Sequence, residues 1–135
     1  MNKFNWRKLT TGDLPILEKW WEDWGWPDCP TADMLPGNAF LVYNAKTEMP
    51  VYAGFLYETG TTLGWVEYVV SSKTASVDDK RGGLEYLFDV ISVIAKWKGI
   101  TALFTSTLND GFIQSLKKNG FEVGDTGMTQ LIKKL

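Results

Sequence analysis

The sequence contains no histidine and only one cysteine, Cys29, among 135 residues. Without an imidazole, Ser–His and Cys–His nucleophilic catalysis are excluded. A single cysteine excludes an internal disulfide, and one cysteine without histidine excludes a structural zinc site, so no metal is expected. Cys29 has nothing basic beside it and reads as an ordinary loop cysteine. Any general base must therefore be a carboxylate, a tyrosine, a lysine or a water held by the backbone. No apolar run approaches the ~18 residues that would suggest a membrane span, and the first residues lack a signal-peptide hydrophobic region. The chain is expected to be soluble and cytoplasmic, with no membrane partner. The net charge of −2 gives no bulk attraction for phosphate backbones, so no nucleic-acid partner is expected.

What is present fits one ordinary globular domain over residues 1–135. Apolar residues make up 44% and charged residues 22%, and a chain of this length can bury roughly two-thirds of its unfolded surface without staples. Tryptophan is abundant, with seven residues, of which Trp20, Trp21, Trp24 and Trp26 are close together. They supply either core mass or an aromatic wall for a pocket or partner.

Residues 63–99 organise the chain. Residues 63–71 are rich in aromatic and β-branched types and read as a strand. Residues 71–76 form a polar loop. Leu84, Leu87, Phe88, Ile91, Ile94 and Ala95 then recur at three- and four-residue spacing, which predicts a helix over 76–98. Val90, Val93 and Trp97 would widen its apolar face and bury most of it. Ser76 with Asp79 reads as a capping-box-like start, and Gly99 as the stop. A strand entering a helix N-terminus is an anion site in waiting, because the first-turn N–H groups lack helical partners and the dipole adds positive charge. Lys73, Lys80 and Arg81 add full charges nearby. A phosphate-bearing ligand and an ordinary, solvated strand–helix connection both fit this pattern.

The rest of the chain reads as strand 3–9, helix 13–24 opened by Thr10 with Asp13, a proline-rich loop over 26–38, and strands at 39–44 and 51–59. The connections among the three middle strands are too short for crossovers and imply an antiparallel meander. A helix between residues 63–71 and 100–108 implies that these two strands are parallel neighbours. A short helix capped by Asn109 or Asp110 follows, and residues 121–135 are expected to complete the sheet as a hairpin.

This order resembles the GNAT superfamily of N-acetyltransferases. The run N-D-G-F-I-Q-S-L-K-K-N-G-F over residues 109–121 is similar to the family's N-x-x-(A/S)-x-x-(L/F)-Y-x-K-x-G-F pattern, with Asn109, Lys118, Gly120 and Phe121 matching. The opening K-L-T-T-G-D-L-P-I-L resembles the family's first strand–helix junction. The resemblance covers essentially the whole chain. It implies an α/β (α+β) fold, with a mixed, mostly antiparallel sheet, a central parallel pair of splayed strands and helices on both faces. It also implies acetyl-CoA as acyl donor, direct transfer to a small-molecule or protein amine, and a monomer or homodimer. Two departures stand out. The family's (R/Q)-x-x-G-x-(G/A) pyrophosphate loop corresponds to D-D-K-R-G-G, in which Gly83 alone falls where glycine is expected, and Asp78 and Asp79 must point away from an anion. The tyrosine that often protonates the departing thiolate falls at Leu116.

On this resemblance the donor would be held by Val69, Val70, Ser71, Lys73, Lys80, Arg81, Gly82, Gly83 and Asn109, with a backbone N–H near Val69 and Val70 for the thioester oxygen. Glu67 would accept the amine proton through a water, with Tyr68 and Glu58 as further candidates. The alternative is a GNAT-fold acyl-CoA-binding or protein-interaction module without chemistry.

Overall fold

The computed structural model describes residues 2–135. Its sheet has five strands in spatial order β1 to β5: β1 Phe4–Lys8, β2 Ala39–Asn44, β3 Pro50–Glu58, β4 Leu63–Ser71 and β5 Ala102–Phe104. The first four are antiparallel neighbours, and β4 pairs with β5 in parallel. Helices α1, Leu14–Asp23, and α2, Val77–Trp97, pack on opposite faces, and α3, Asp110–Lys118, lies beside α2.

The alternation of β2 and β3 explains the two-sided core. Phe40 and Val42 point to the α2 side, while Ala39 and Leu41 point to the α1 side. Burial of Leu87, Phe88 and Ile91 from α2 against Val42, Leu56 and Val66 contributes roughly 1.5–3 kcal/mol per side chain. Leu17, Trp20 and Trp21 of α1 meet Leu41, Ala53, Phe55 and Val70, so two of the clustered tryptophans are core mass. Helix α2 begins and ends as its sequence implies. The Ser76 hydroxyl accepts from the Asp79 N–H at 3.1 Å, and Gly99 takes φ +78° just past the end.

Four expectations need correction. Val93 and Trp97 do not widen the buried face of α2; they are 56% and 89% exposed, left uncovered by the described residues. Strand β5 is three residues long rather than nine, pairing only through Leu63–Ala102, Gly64–Leu103 and Trp65–Phe104. No strand forms among residues 121–135, and Val123, Met128, Leu131 and Ile132 are exposed. A three-residue edge offers little ladder to extend, and Gly124 and Gly127 weaken a strand there. The parallel pair consequently lies at the edge of the sheet, not at its centre.

The entry to α1 is fixed by a charged clamp. Arg7 donates to both Asp13 carboxylate oxygens at 2.7 and 2.6 Å, and the Thr10 N–H donates to the same carboxylate at 2.8 Å. The Arg7 hydrogen bonds hold the Asp13 carboxyl down to about 2, against an ordinary value of 3.8. A depressed carboxyl pKa contributes stability that is fully present above the unfolded value and is lost as pH falls through the folded value. Replacing Asp13 by Asn is expected to lower stability at pH 7 by about 1–2 kcal/mol, from the shift and the bonds lost. Urea unfolding should show this difference vanishing as pH falls from 3.8 to about 2.

Candidate active site

The site begins with an irregularity in β4. Ala53 pairs with Val70 and Phe55 with Glu67, so Tyr68 and Val69 together stand opposite Gly54. Tyr68 adopts φ +57°, a left-handed conformation that costs a non-glycine residue roughly 1 kcal/mol or more. The extra residue is a β-bulge, which re-aims side chains. Val69 joins the α2-side core, while Tyr68 packs on the α1 side. Gly54 is needed opposite because a Cβ there would stand 3.0 Å from Leu87 Cδ2, closing the space α2 occupies.

Pairing with β5 stops at Trp65, three residues before the bulge. Beyond it the outer edge of β4 has no strand partner among the described residues. Past this point β4 and β5 leave a gap in the ladder. At its mouth Trp65 stacks on Phe104, with ring centroids 6.1 Å apart.

Glu67 is the carboxylate at this gap. It is partly exposed, and Trp65 Nε1 donates to its Oε2 at 2.7 Å. Residues two apart on a strand share a face, which brings these two together. Tyr57 and Tyr68 lie beside them, edge to face at 6.5 Å, and Trp26 is 6.5 Å from Tyr68. Burial, with Tyr68 and Glu67 nearby, pushes the Tyr57 hydroxyl up to about 12, and burial and Glu67 raise Tyr68. Both stay protonated donors at neutral pH. Tyr57 donates to the Met34 carbonyl at 2.7 Å, fastening the 26–38 loop to β3. Glu58 is occupied elsewhere, by Asn38 at 2.9 Å and Lys98 at 3.5 Å.

The other end of β4 leads into the α2 N-terminus. Val70, Ser71 and Ser72 are buried. Lys73 and Lys80 flank the Trp24 ring at 5.1 and 5.5 Å, and they donate to the carbonyls of Asp23 and Lys73 respectively. Trp24 itself donates to the Ser71 carbonyl at 2.8 Å, tying the end of α1 to the loop. Arg81 is exposed. Asp79 is drawn aside by Lys3 at 3.2 Å and Asn44 at 3.2 Å, which removes one of the two acids from the first turn's anion-facing side.

Three residues singled out in the sequence have structural tasks here. Gly82 and Gly83 face the sheet in the second turn of α2. A Cβ on Gly82 would come within 2.7 Å of Phe4, and one on Gly83 within 3.1 Å of Val51. Their missing side chains let the helix approach the sheet. Asn109 caps α3, its side chain accepting from the Phe112 N–H at 2.8 Å. Leu116 is buried, so that position supplies no hydroxyl. Cys29 is exposed in the 26–38 loop, with the Trp26 carbonyl oxygen 3.8 Å from its Sγ. The sequence reading missed Trp24 as the bridge between two lysines and Trp65 as the holder of Glu67. The W-x-E spacing within a strand is the signal that could have found the second.

No protein-family model and no curated protein matches the sequence. Solved structures do match in three dimensions. N-acetylglutamate synthase from Neisseria gonorrhoeae, solved with coenzyme A and N-acetyl-glutamate, superposes with a TM-score of 0.68 at 18% identity over 87% of this chain. The fold is that of the GNAT acetyltransferases. This chain spans 28% of the synthase's length. An acetyltransferase from Trypanosoma brucei gives 0.69 at 18% identity, over 96% of this chain and 99% of the other. Ard1 from Thermoplasma volcanium gives 0.71 at 15% identity, over 92% and 86% respectively. Such identities speak for the GNAT fold alone. No helix among the described residues is long and apolar enough to cross a membrane.

The Tyr57–Met34 hydrogen bond anchors the aromatic wall to its loop. Replacing Tyr57 by Phe is expected to loosen the 26–38 loop by about 0.5–1.5 kcal/mol, the net value of one such bond. Amide hydrogen exchange around Met34 and Leu35 should accelerate while the α2 amides stay unchanged; unchanged loop exchange would mean the bond holds nothing.

Proposed function

We propose that the protein is an acetyl-CoA-dependent N-acetyltransferase that moves an acetyl group to an amine by direct transfer. The observation that carries this reading is the parting of β4 from β5 after Trp65, beside a bulge and just ahead of a long helix. A gap in a sheet leaves backbone groups without a ladder, and such groups must find another partner. The pantetheine arm of acetyl-CoA is an extended chain with amides able to take that place. The coenzyme A seen in the gonococcal synthase of the same fold supports the same donor here.

The diphosphate would lie at the start of α2. The Asp79 N–H is taken by the Ser76 hydroxyl and the Lys80 N–H by the Ser76 carbonyl, which leaves the N–H groups of Val77 and Asp78 for an anion. Lys73 and Lys80 now donate to neutral carbonyls. Charge-assisted bonds to phosphate are roughly twice as strong, so turning these lysines toward a diphosphate is favourable. Arg81 is exposed and free to add a third charge. Asp78 opposes them with one negative charge.

The reaction class follows from the groups at the gap. The amine nitrogen forms a bond to the acetyl carbon as the carbon–sulfur bond breaks. The Val69 and Val70 backbone beside the bulge would hold the thioester oxygen. Glu67, kept in place by Trp65, would take the amine proton through a water. The thiolate leaves without a dedicated acid; a thiol pKa of about 8.5 makes it a tolerable leaving group near neutrality. Placement supplies most of the acceleration, worth up to roughly 7–11 kcal/mol for well-oriented reactants.

A second reading, an acyl-CoA-binding module without turnover, is favoured by the buried Leu116 where an acid might stand. Thiol release from acetyl-CoA over a panel of amines separates the two: turnover supports the enzyme, and binding without release supports the module. On an accepted amine, Glu67→Gln should reduce the rate most below about pH 8, where an alkylamine with a pKa of about 10.4 most needs a base, and less as pH rises. Wild-type rates across that range would reduce Glu67 to a surface carboxylate.

A further inference from the structure

The charge and aromatic pattern around Glu67 speaks to the acceptor. From residue 20 to residue 72 the chain has seven acidic residues and a single basic one, Lys46. This stretch supplies the 26–38 loop, β2, β3 and all of β4, and so every residue of the Trp26, Tyr57, Tyr68, Trp65 and Glu67 group. Lys46 lies in the β2–β3 turn, at the opposite end of β3 from Tyr57 and Glu58. Two basic side chains from flanking elements are already paired. Lys98 pairs with Glu58 at 3.5 Å, and Arg7 with Asp13 at 2.6 Å. The loop fastened by Tyr57 carries Asp28 and Asp33 and no base.

The walls are aromatic where they are not acidic. Trp26, Tyr57 and Tyr68 form one contiguous set, and Trp65 with Phe104 another, with Glu67 touching Trp65 between them. All six side chains are partly exposed or exposed. Aromatic faces attract cations through their quadrupole, while their hydroxyl and indole N–H edges can donate to an anion but bring no positive charge. An anionic acceptor would find no uncommitted positive partner on these elements and would be repelled by Glu67.

Resting on the acetyl-transfer reading above, we propose that the acceptor is a small amine carrying a second positive charge, such as an aliphatic diamine or polyamine. The reacting amine would lie toward Glu67 and the bulge. The second ammonium group would rest against the aromatic wall and the Asp28–Asp33 loop. This sets the protein apart from relatives of the same fold whose acceptor is itself an acid, as the N-acetyl-glutamate bound to the gonococcal synthase indicates.

Cadaverine and ε-aminocaproate test this directly. They share a primary amine on the same five-carbon chain and differ only in ending in an ammonium or a carboxylate. In a thiol-release assay with acetyl-CoA, cadaverine is expected to have the higher kcat/KM by about tenfold or more, one screened charge contact near the surface. The preference should shrink as salt shortens the Debye length from about 30 Å to about 3 Å. Equal or reversed preference overturns the inference. Tryptophan fluorescence titration of the full chain with each amine keeps the test separate from the chemistry. Tighter cadaverine binding without thiol release would sink acetyl transfer while upholding the cationic site. Equal binding, or binding of neither, would overturn the site.

Discussion

Two residues of β4, Tyr68 and Val69, share a single place opposite Gly54 of β3, and the geometry of the molecule turns on that mismatch. Gly54 has no side chain, so Leu87 and Ile91 of α2 sit directly over it. The helix can then lie close to the sheet opposite the bulge in β4. The bulge sends Val69 to the α2 side and Tyr68 to the α1 side, joining both cores to one strand. It also comes just past the last residue that pairs with β5. One local strain of about 1 kcal/mol is thereby held by two hydrophobic cores that each contribute many times as much.

The two ends of β4 are electrostatically distinct. Its C-terminal end runs into a helix start surrounded by Lys73, Lys80 and Arg81, with Asp79 pulled away by Lys3 and Asn44. Its middle carries Glu67 among aromatic rings, in a region almost without basic residues. Such a division suits a reaction that must hold a polyanionic donor at one end and an amine at the other. Trp24 lies between the lysines and the Ser71 carbonyl, so the end of α1 helps to build the basic end.

Much of this was legible in the sequence because it depends on periodicity. The helix over 77–97 followed from apolar spacing, its N-cap from Ser76, and the parallel β4–β5 pair from strand–helix–strand order. What failed depends on tertiary supply. Val93 and Trp97 continue the helical apolar pattern, yet no element arrives to cover them. Residues 121–135 include Phe121, Val123, Met128, Leu131 and Ile132, but a three-residue β5 gives them little edge to join. Gly82 and Gly83 also lie against Phe4, Val51 and Tyr52, a packing contact that no local signal reveals. Glu67 was visible as a strand carboxylate, and its hydrogen bond to Trp65 could have been read from their two-residue spacing on one strand face.

The central claim is that the gap between β4 and β5, continued by the first turn of α2, is the coenzyme site. Backbone amide NMR of the full chain, titrated with coenzyme A, tests it most directly. The account predicts saturable shifts concentrated at Tyr68, Val69 and Val70 and at Val77 and Asp78, with residues 93–97 on the outer face of α2 unmoved. Saturation with shifts confined to that outer face, or no shifts at millimolar coenzyme A, would contradict it.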